Sequence, residues 1–303
     1  MEPLTADDPR QVSVFLLQSR LGAGGMGRVY LATSPGGRAV AVKVVHPELA
    51  RDPEFMQRFR REVEAAEAVS GAYTAPVVGA GPDDSPPWLA TAYVAGPSLA
   101  ELVERAGPLP EAAVWRLAGG LVEALQAIHR RGLVHRDLKP GNILIAADGP
   151  RVIDFGISRA LHGKALTTAS TTMGTPAYMS PEQAGGSEIG PPSDVFALGS
   201  VLAFAATGTA PFEGGEALAV IYRIVNTDPD LRALPPALGS LIAACLAKDP
   251  ASRPSLDALI GAVNAASATF PENVPGQFWP DAVAAVIAGQ TGGGGRAVQA
   301  PGG

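Results

Sequence analysis

The chain has 303 residues, 47% hydrophobic and 17% charged, with a formal net charge of −6, which is enough for two domains or one bilobal unit and too apolar for wholesale disorder. The negative balance excludes a general pull toward nucleic acid or an anionic membrane, and no apolar run reaches the roughly 18 residues of a membrane span. A single cysteine, Cys245, excludes an intrachain disulfide and reads within LIAACLAKD as a packed helical thiol; because MEPLTADDPRQ lacks the basic start and apolar stretch of a signal peptide, a cytoplasmic setting is expected.

Residues 1–13 read as an N-terminal tail. From Val14 to Val45, runs rich in Val, Leu and Tyr are divided by Gly and Pro clusters (GAGGMG, SPGG), the pattern of a twisted antiparallel sheet. Gly22, Gly24 and Gly27 have G-x-G-x-x-G spacing, but RVYLA continues as β where a dinucleotide-binding turn would enter a helix. Glycine-rich hairpins without ligands share this spacing, so phosphate binding and a plain turn both stay open at this point. VAVKVV puts Lys43 sixteen residues after Gly27 in an apolar strand, where an ammonium is costly unless paired. EFMQRFRREVEAAEAVS then changes to a helical period, with Phe55, Phe59, Val63, Ala66 and Val69 on one face. Glu62 falls on or beside that inward face and is the natural partner of Lys43.

Two strands are predicted around Pro76 to Gly81 and Trp88 to Val94, after which the material is mainly helical. Pro110 opens the clearest helix, with a stripe of Val114, Leu117, Leu121, Leu125 and Ile128, two internal glycines that weaken it, and Gly132 placed as a left-handed cap. Sheet first and helices later predicts two lobes with a crevice between them. LVHRDLKPGNILI sets Asp137, Lys139 and Asn142 between apolar ends, and IDFGIS sets Asp154 after a strand-like run. Asn142 and Asp154 could supply the oxygen ligands a hard cation needs, Asp137 could accept or orient a hydroxyl proton, and Lys139 could neutralise a transferred phosphoryl group. Near the end FPENVPGQFWP breaks the helical pattern, a short helix is predicted over Asp281 to Ala288, and TGGGGRAVQAPGG has linker composition, as if this were the front part of something longer.

LGAGGMGRVY, VAVKVV, Glu62, HRDLKPGN, DFG, GTPAYMSPE, SDVFALG and KDPASRP occur in the order and at about the spacings of eukaryotic-like protein kinases. From about Val14 to Ala266 the chain resembles that family, and GAGGMG and YMSPEQA are similar in wording to the actinobacterial Ser/Thr kinases. The resemblance implies an α+β, bilobal protein-kinase fold: an N-lobe over 14–94 of antiparallel β-sheet plus one regulatory helix, a mainly helical C-lobe over 95–266, and a C-terminal extension with a Gly-rich linker over 267–303. It implies Asp137 as catalytic base, Lys139 as the cation near the γ-phosphate, Asn142 and Asp154 as ligands of Mg²⁺ with Mn²⁺ as a substitute, and Lys43 on the α- and β-phosphates of ATP, positioned by Glu62. The nucleotide site implied comprises Leu21, Gly22, Gly24, Gly25, Gly27, Val29, Ala41, Thr91, Tyr93, Val94 and Leu144.

Lys139, together with Thr175, resembles Ser/Thr rather than tyrosine kinases, so the implied partners are protein substrates presenting Ser or Thr, with neither nucleic acid nor a membrane span. Thr167, Thr168, Ser170, Thr171 and Thr172 are candidates for autophosphorylation between two self-associating molecules, with Arg136 and Arg159 available to pair the phosphate. By the same resemblance Glu182 pairs with Arg253, Asp194 braces the catalytic loop, and His135 orients that loop and is not the base. Four positions depart from common patterns: Ala92 in the hinge, Ser98 near the ribose, Gly141 in place of an acid, and Ser180 in place of alanine, the last expected to matter little. A pseudokinase that binds nucleotide as a scaffold is the alternative, but its usual mark, loss of the lysine, base or metal ligand, is absent. Small-molecule phosphotransferases normally lack the GTPAYMSPE and SDVFALG segments.

Overall fold

The computed structural model describes residues 1–154, 176–270 and 278–291. β1 (Glu2–Pro3), β2 (Gln11–Val12), β3 (Phe15–Gly24), β4 (Gly27–Thr33), β5 (Ala39–Val45), β6 (Val77–Gly81) and β7 (Trp88–Ala92) form one sheet in the order β1-β3-β4-β5-β7-β6, with β2 also on β3. Every pairing among them is antiparallel. Register sorts the side chains. Val29, Lys43 and Leu89 form one cross-strand row and Leu31, Ala41 and Thr91 the next, so all six project from the same face. Tyr30, Val42 and Ala90 turn the other way, into an apolar cluster with Val12, Phe15, Leu17 and Trp88.

Residues 1–13 therefore differ from the expected tail. β1 and β2 add to β3, and Val12 is buried in the outer cluster. The short polar run 5–11 concealed this, because a two-residue strand has too few positions to show alternation.

α1 (Pro47–Ala50) leads into α2 (Pro53–Glu67), whose start is capped by Asp52 accepting from Glu54 N and Phe55 N. α2 belongs to both lobes. Phe55, Met56, Phe59 and Val63 pack beneath the sheet with Met26, Val45 and Leu89, while Ala66 and the following Val69 join the core of the second lobe. The segment after it is tied down by Ala75 N donating to Val152 O and Val152 N donating to Tyr73 O.

The second lobe contains α3 (Leu99–Ala106), α4 (Glu111–His129), a hairpin of β8 (Ile143–Ala146) with β9 (Gly149–Val152), α5 (Pro181–Ala184), α6 (Pro191–Thr207), α7 (Ala217–Asn226), α8 (Pro236–Cys245), α9 (Leu256–Ser267) and α10 (Asp281–Thr291). α4 is its axis, and all five stripe residues predicted for it are fully buried. Gly120 is not a defect there: a Cβ would lie 2.5 Å from Pro150 Cγ, so glycine lets β9 lie against the helix. Gly132 takes the left-handed conformation at φ 72° just after the helix. Cys245 is buried, and burial pushes its thiol pKa up to about 12.

Part of the expected extension is core. Trp279 is buried, its indole Nε1 donating to Ala146 O at 2.7 Å; Val283 and Ile287 of α10 are buried, and Arg116 Nη1 holds Phe278 O at 2.6 Å. No helix among the described residues is long and apolar enough to cross a membrane.

Candidate active site

The upper wall comes from the inner face of the sheet. β3 and β4 meet at Gly24 opposite Gly27, with Gly25 and Met26 as the turn and a register irregularity between Arg20 and Gly22 that sets Leu21 out of the regular pairing. The glycines have two different reasons. A Cβ on Gly22 or Gly24 would meet nothing within 4 Å, leaving backbone open to an approaching group, whereas one on Gly27 would collide with the Val44 carbonyl of β5. Met26 is buried against Phe55 and Phe59 of α2, tying the loop tip to the helix that carries Glu62. Val29, Ala41, Lys43 and Thr91 stand half-buried on the same sheet face, as do Leu21, Tyr93 and Val94 at its margin.

The lower wall is linked to the segment after β7. Ile145 N donates to Pro97 O at 2.8 Å and Ser98 bridges to Leu144, which places half-buried Leu144 below the hinge residues. Gly96 allows this close approach, since its Cβ would strike the Ile145 carbonyl. Ser98, noted as a ribose neighbour, is engaged as the N-cap of α3 in a reciprocal capping box with Glu101.

Asp194 of α6 organises the catalytic-loop segment from beneath. Its Oδ2 accepts from His135 N and its Oδ1 from Arg136 N, at 2.7 and 2.8 Å, and His129 Nε2 of α4 sits 2.7 Å from Oδ2. His135 is fully buried; its Nδ1 accepts from Asp137 N while Nε2 faces Ile153 O, and burial holds its pKa below the usual value. Both ring nitrogens are thus engaged within the segment itself. Asp137, Lys139 and Asn142 come together: Lys139 Nζ and Asn142 Nδ2 both donate to Asp137 Oδ2, at 2.8 and 3.0 Å, and Asn142 Nδ2 also reaches Asp137 O. Ile153 N donates to Asn142 O, which brings Asp154 alongside. Arg136 and Asp154 hold left-handed backbones, at φ 67° and 59°, a strain of about 1–3 kcal/mol each that clusters at functional sites.

Glu62 was the expected partner of Lys43; among the described residues the ion pair seen for Lys43 is with Asp154, Nζ lying 3.0 Å from Oδ2. The left-handed turn at Asp154 delivers its carboxylate to the lysine across the crevice, while Glu62 stays buried within α2's inward face. Burial would raise the pKa of Asp154, but the Lys43 charge and hydrogen bond outweigh it and hold the group below the usual carboxylate value.

Opposite the loop, α5 supplies contacts that sequence reading had set aside. Ser180 is fully buried; its hydroxyl accepts from Gln183 N and its own N donates to Gln183 Oε1, so it is the N-cap of α5 and not an indifferent replacement for alanine. Gln183 Nε2 donates to Arg136 O at 2.8 Å, next to Asp137. The S-x-x-Q spacing was the available signal. Glu182 and Arg253 form a two-pronged pair at 2.7 and 2.8 Å, with Ser193 donating to Glu182 Oε1. Thr167, Thr168, Ser170, Thr171, Thr172, Arg159 and Thr175 lie outside the described residues.

An antiparallel sheet with one large helix, a helical second lobe, and acid, lysine and amide groups gathered between them define a class. Residues 15–263 match the protein kinase domain, and the chain belongs to that family. It is 54% identical over 260 residues to "Probable serine/threonine-protein kinase PkwA" of Thermomonospora curvata, covering 86% of this chain and 35% of that protein. It is 55% identical over 258 residues to serine/threonine-protein kinase AfsK of Streptomyces griseus, covering 84% of this chain and 32% of that one. The crystal structure of the Mycobacterium tuberculosis PknI kinase domain superposes with a TM-score of 0.67 at 28% identity, covering 84% of this chain and 96% of that one. The chain thus spans about a third of the length of these curated relatives.

Proposed function

We propose that this chain is an active serine/threonine protein kinase domain that transfers the γ-phosphoryl group of ATP to Ser or Thr hydroxyls of protein substrates. The observation that carries this is Asp137: both described side-chain bonds from Lys139 and Asn142 fall on Oδ2, and Oδ1 takes part in neither. In the transfer the bond from the γ-phosphorus to the bridging oxygen of ADP breaks, a bond to the substrate hydroxyl oxygen forms, and Asp137 receives the hydroxyl proton. Lys139 offsets charge on the moving group. Lys43 holds the α- and β-phosphates under the open backbone of Gly22 and Gly24, with Thr91, Tyr93 and Val94 beside the adenine.

The residues fit a divalent cation. Asp154 offers a carboxylate held ionised, and the Asn142 amide oxygen remains after its Nδ2 has bonded Asp137; two protein oxygens, completed by phosphate and water, suit Mg²⁺, with Mn²⁺ as a substitute. When bound, the cation supplies charge neutralisation on the phosphates. Control follows from the hydroxyl cluster at 167–172: trans-autophosphorylation at one or more of Thr167, Thr168, Ser170, Thr171 and Thr172 raises activity toward other substrates.

Incubation of the purified chain with Mg·ATP, followed by mass-spectrometric mapping, tests both parts. Phosphate is expected in 167–172 of the active protein and absent from Asp137→Asn expressed alone. No phosphate on the chain or on any protein acceptor sinks the kinase reading. Full activity toward an external substrate after replacing all five hydroxyl residues by Ala sinks the switch alone.

A further inference from the structure

Asp8 lies outside the segment that matches the kinase family, yet its carboxylate is buried and accepts five hydrogen bonds. The two oxygens are divided between two strands. Oδ2 accepts from Arg20 Nε of β3 at 2.7 Å, while Oδ1 accepts from Tyr30 OH at 2.8 Å and lies 3.4 Å from Arg28 Nη1, both of β4. Thr5 closes the local turn by donating its N and Oγ1 to Oδ2 at 2.8 and 3.0 Å, and Arg20 Nη2 returns a bond to Thr5 Oγ1 at 2.8 Å.

The place of this carboxylate in the hairpin gives it a consequence. Arg20 pairs with Tyr30, the register then shifts, and beyond the shift Gly22 pairs with Val29 and Ala23 with Arg28. One carboxylate thus holds side chains from both sides of the irregularity that sets Leu21 and aims the glycine turn. Such bulges bend the strand and increase its twist, so the path of the turn depends on what pins their flanks. The 2.7 Å bond from Arg20 to the buried carboxylate is of the strong, charge-assisted kind, and the 3.4 Å contact from partly exposed Arg28 extends the hold past the shift more weakly.

We propose that Asp8 is a positioning residue for the nucleotide loop: from the strap of residues 1–13 it locks β3 to β4 across the bulge and so sets Leu21, Gly22 and Gly24 over the bound phosphates and adenine. This rests on the reading of the glycine-rich hairpin as the ATP site. Asp8 does not touch nucleotide, so its removal alters ATP affinity through the loop and leaves the catalytic loop intact.

The test compares the unaltered chain with Asp8→Asn, which keeps size and one acceptor but loses the charge, and with Tyr30→Phe, which removes one bond and leaves the charge. Mg·ATP binding is measured by calorimetry, with KM for ATP, KM for a protein substrate and kcat measured separately. The expected result is a rise of roughly fivefold or more in Kd and KM for ATP in Asp8→Asn, with kcat and the protein-substrate KM within about twofold. Tyr30→Phe gives a smaller rise, and the double variant less than the product of the two, since both act through one carboxylate. Loss of thermal stability with unchanged ATP affinity on the folded protein makes Asp8 a plain staple and overturns the proposal. An unaltered chain that binds no Mg·ATP overturns instead the kinase reading on which the proposal stands.

Discussion

At the scale of single residues the informative groups are those whose partners are already chosen. Asp137 is held on one oxygen by an ammonium and an amide, which orients the carboxylate without consuming it. Asp137→Asn keeps the shape and loses the proposed base, so kcat should fall by about 10²–10⁴-fold, with ATP affinity by calorimetry changed less than roughly threefold. A variant retaining most of its turnover would remove Asp137 from the proposed role. Lys43→Met removes the ammonium proposed to hold the phosphates and strands the carboxylate of Asp154; turnover near the assay limit is expected, together with a raised pH for ionisation of Asp154, because the charge that depresses its pKa has gone. An isotope-labelled NMR titration showing Asp154 unmoved would break the pair described here. These residue types and their spacings were legible in the chain; the partner of Lys43 was not, because spacing within a motif says nothing about which carboxylate crosses the crevice.

Single elements show how far local pattern reaches. α2 and α4 were legible because helical period and burial coincide: Phe55, Phe59 and Val63 in one, Val114, Leu117, Leu121, Leu125 and Ile128 in the other, all turn inward. α5 has four residues and no period to read, yet it is joined to the loop that carries Asp137 through Ser180, Gln183 and the Arg136 carbonyl. Ser180→Ala should cost about 1 kcal/mol of stability through the lost cap, seen as a lower urea midpoint. Gln183→Ala leaves buried backbone groups at Ser180 and Arg136 without those bonds, at about 1–3 kcal/mol, and should lower kcat more than it raises KM for ATP. If both variants keep the original urea midpoint and turnover, the capping box carries no weight in the site.

For the molecule as a whole, the Glu182–Arg253 pair ties α5 to the segment before α9, with Arg253 also donating to Ala247 O, Pro192 O and Lys248 O. Burial alone would raise the pKa of Glu182, but the hydrogen bonds from Arg253 and Ser193 bring it below the usual value. A depressed folded pKa means stability that is present above the unfolded glutamate value of about 4.3 and is lost as pH falls toward the folded one. Arg253→Met should therefore destabilise the protein by about 3–5 kcal/mol near neutral pH, since it leaves a buried carboxylate without its cation, and the penalty should shrink in acid as Glu182 protonates. Urea unfolding of both forms between pH 7 and pH 4 measures this, and a pH-independent difference would contradict the assignment.

By itself the chain determined the two-lobe order, the helical faces, the glycine hairpin and the close grouping of Asp137, Lys139 and Asn142, because each is written in separations of a few residues that backbone geometry converts directly into position. Only the tertiary structure decided the pairings across large separations: Lys43 with Asp154, 111 residues apart, and the Trp279 indole with Ala146 O, 133 apart. It also turned the supposed tail into two strands and placed Asp8 across the bulge of β3 and β4. A buried charge or indole N–H takes the complementary group that packing brings within hydrogen-bond reach, and that proximity is created by the assembled core.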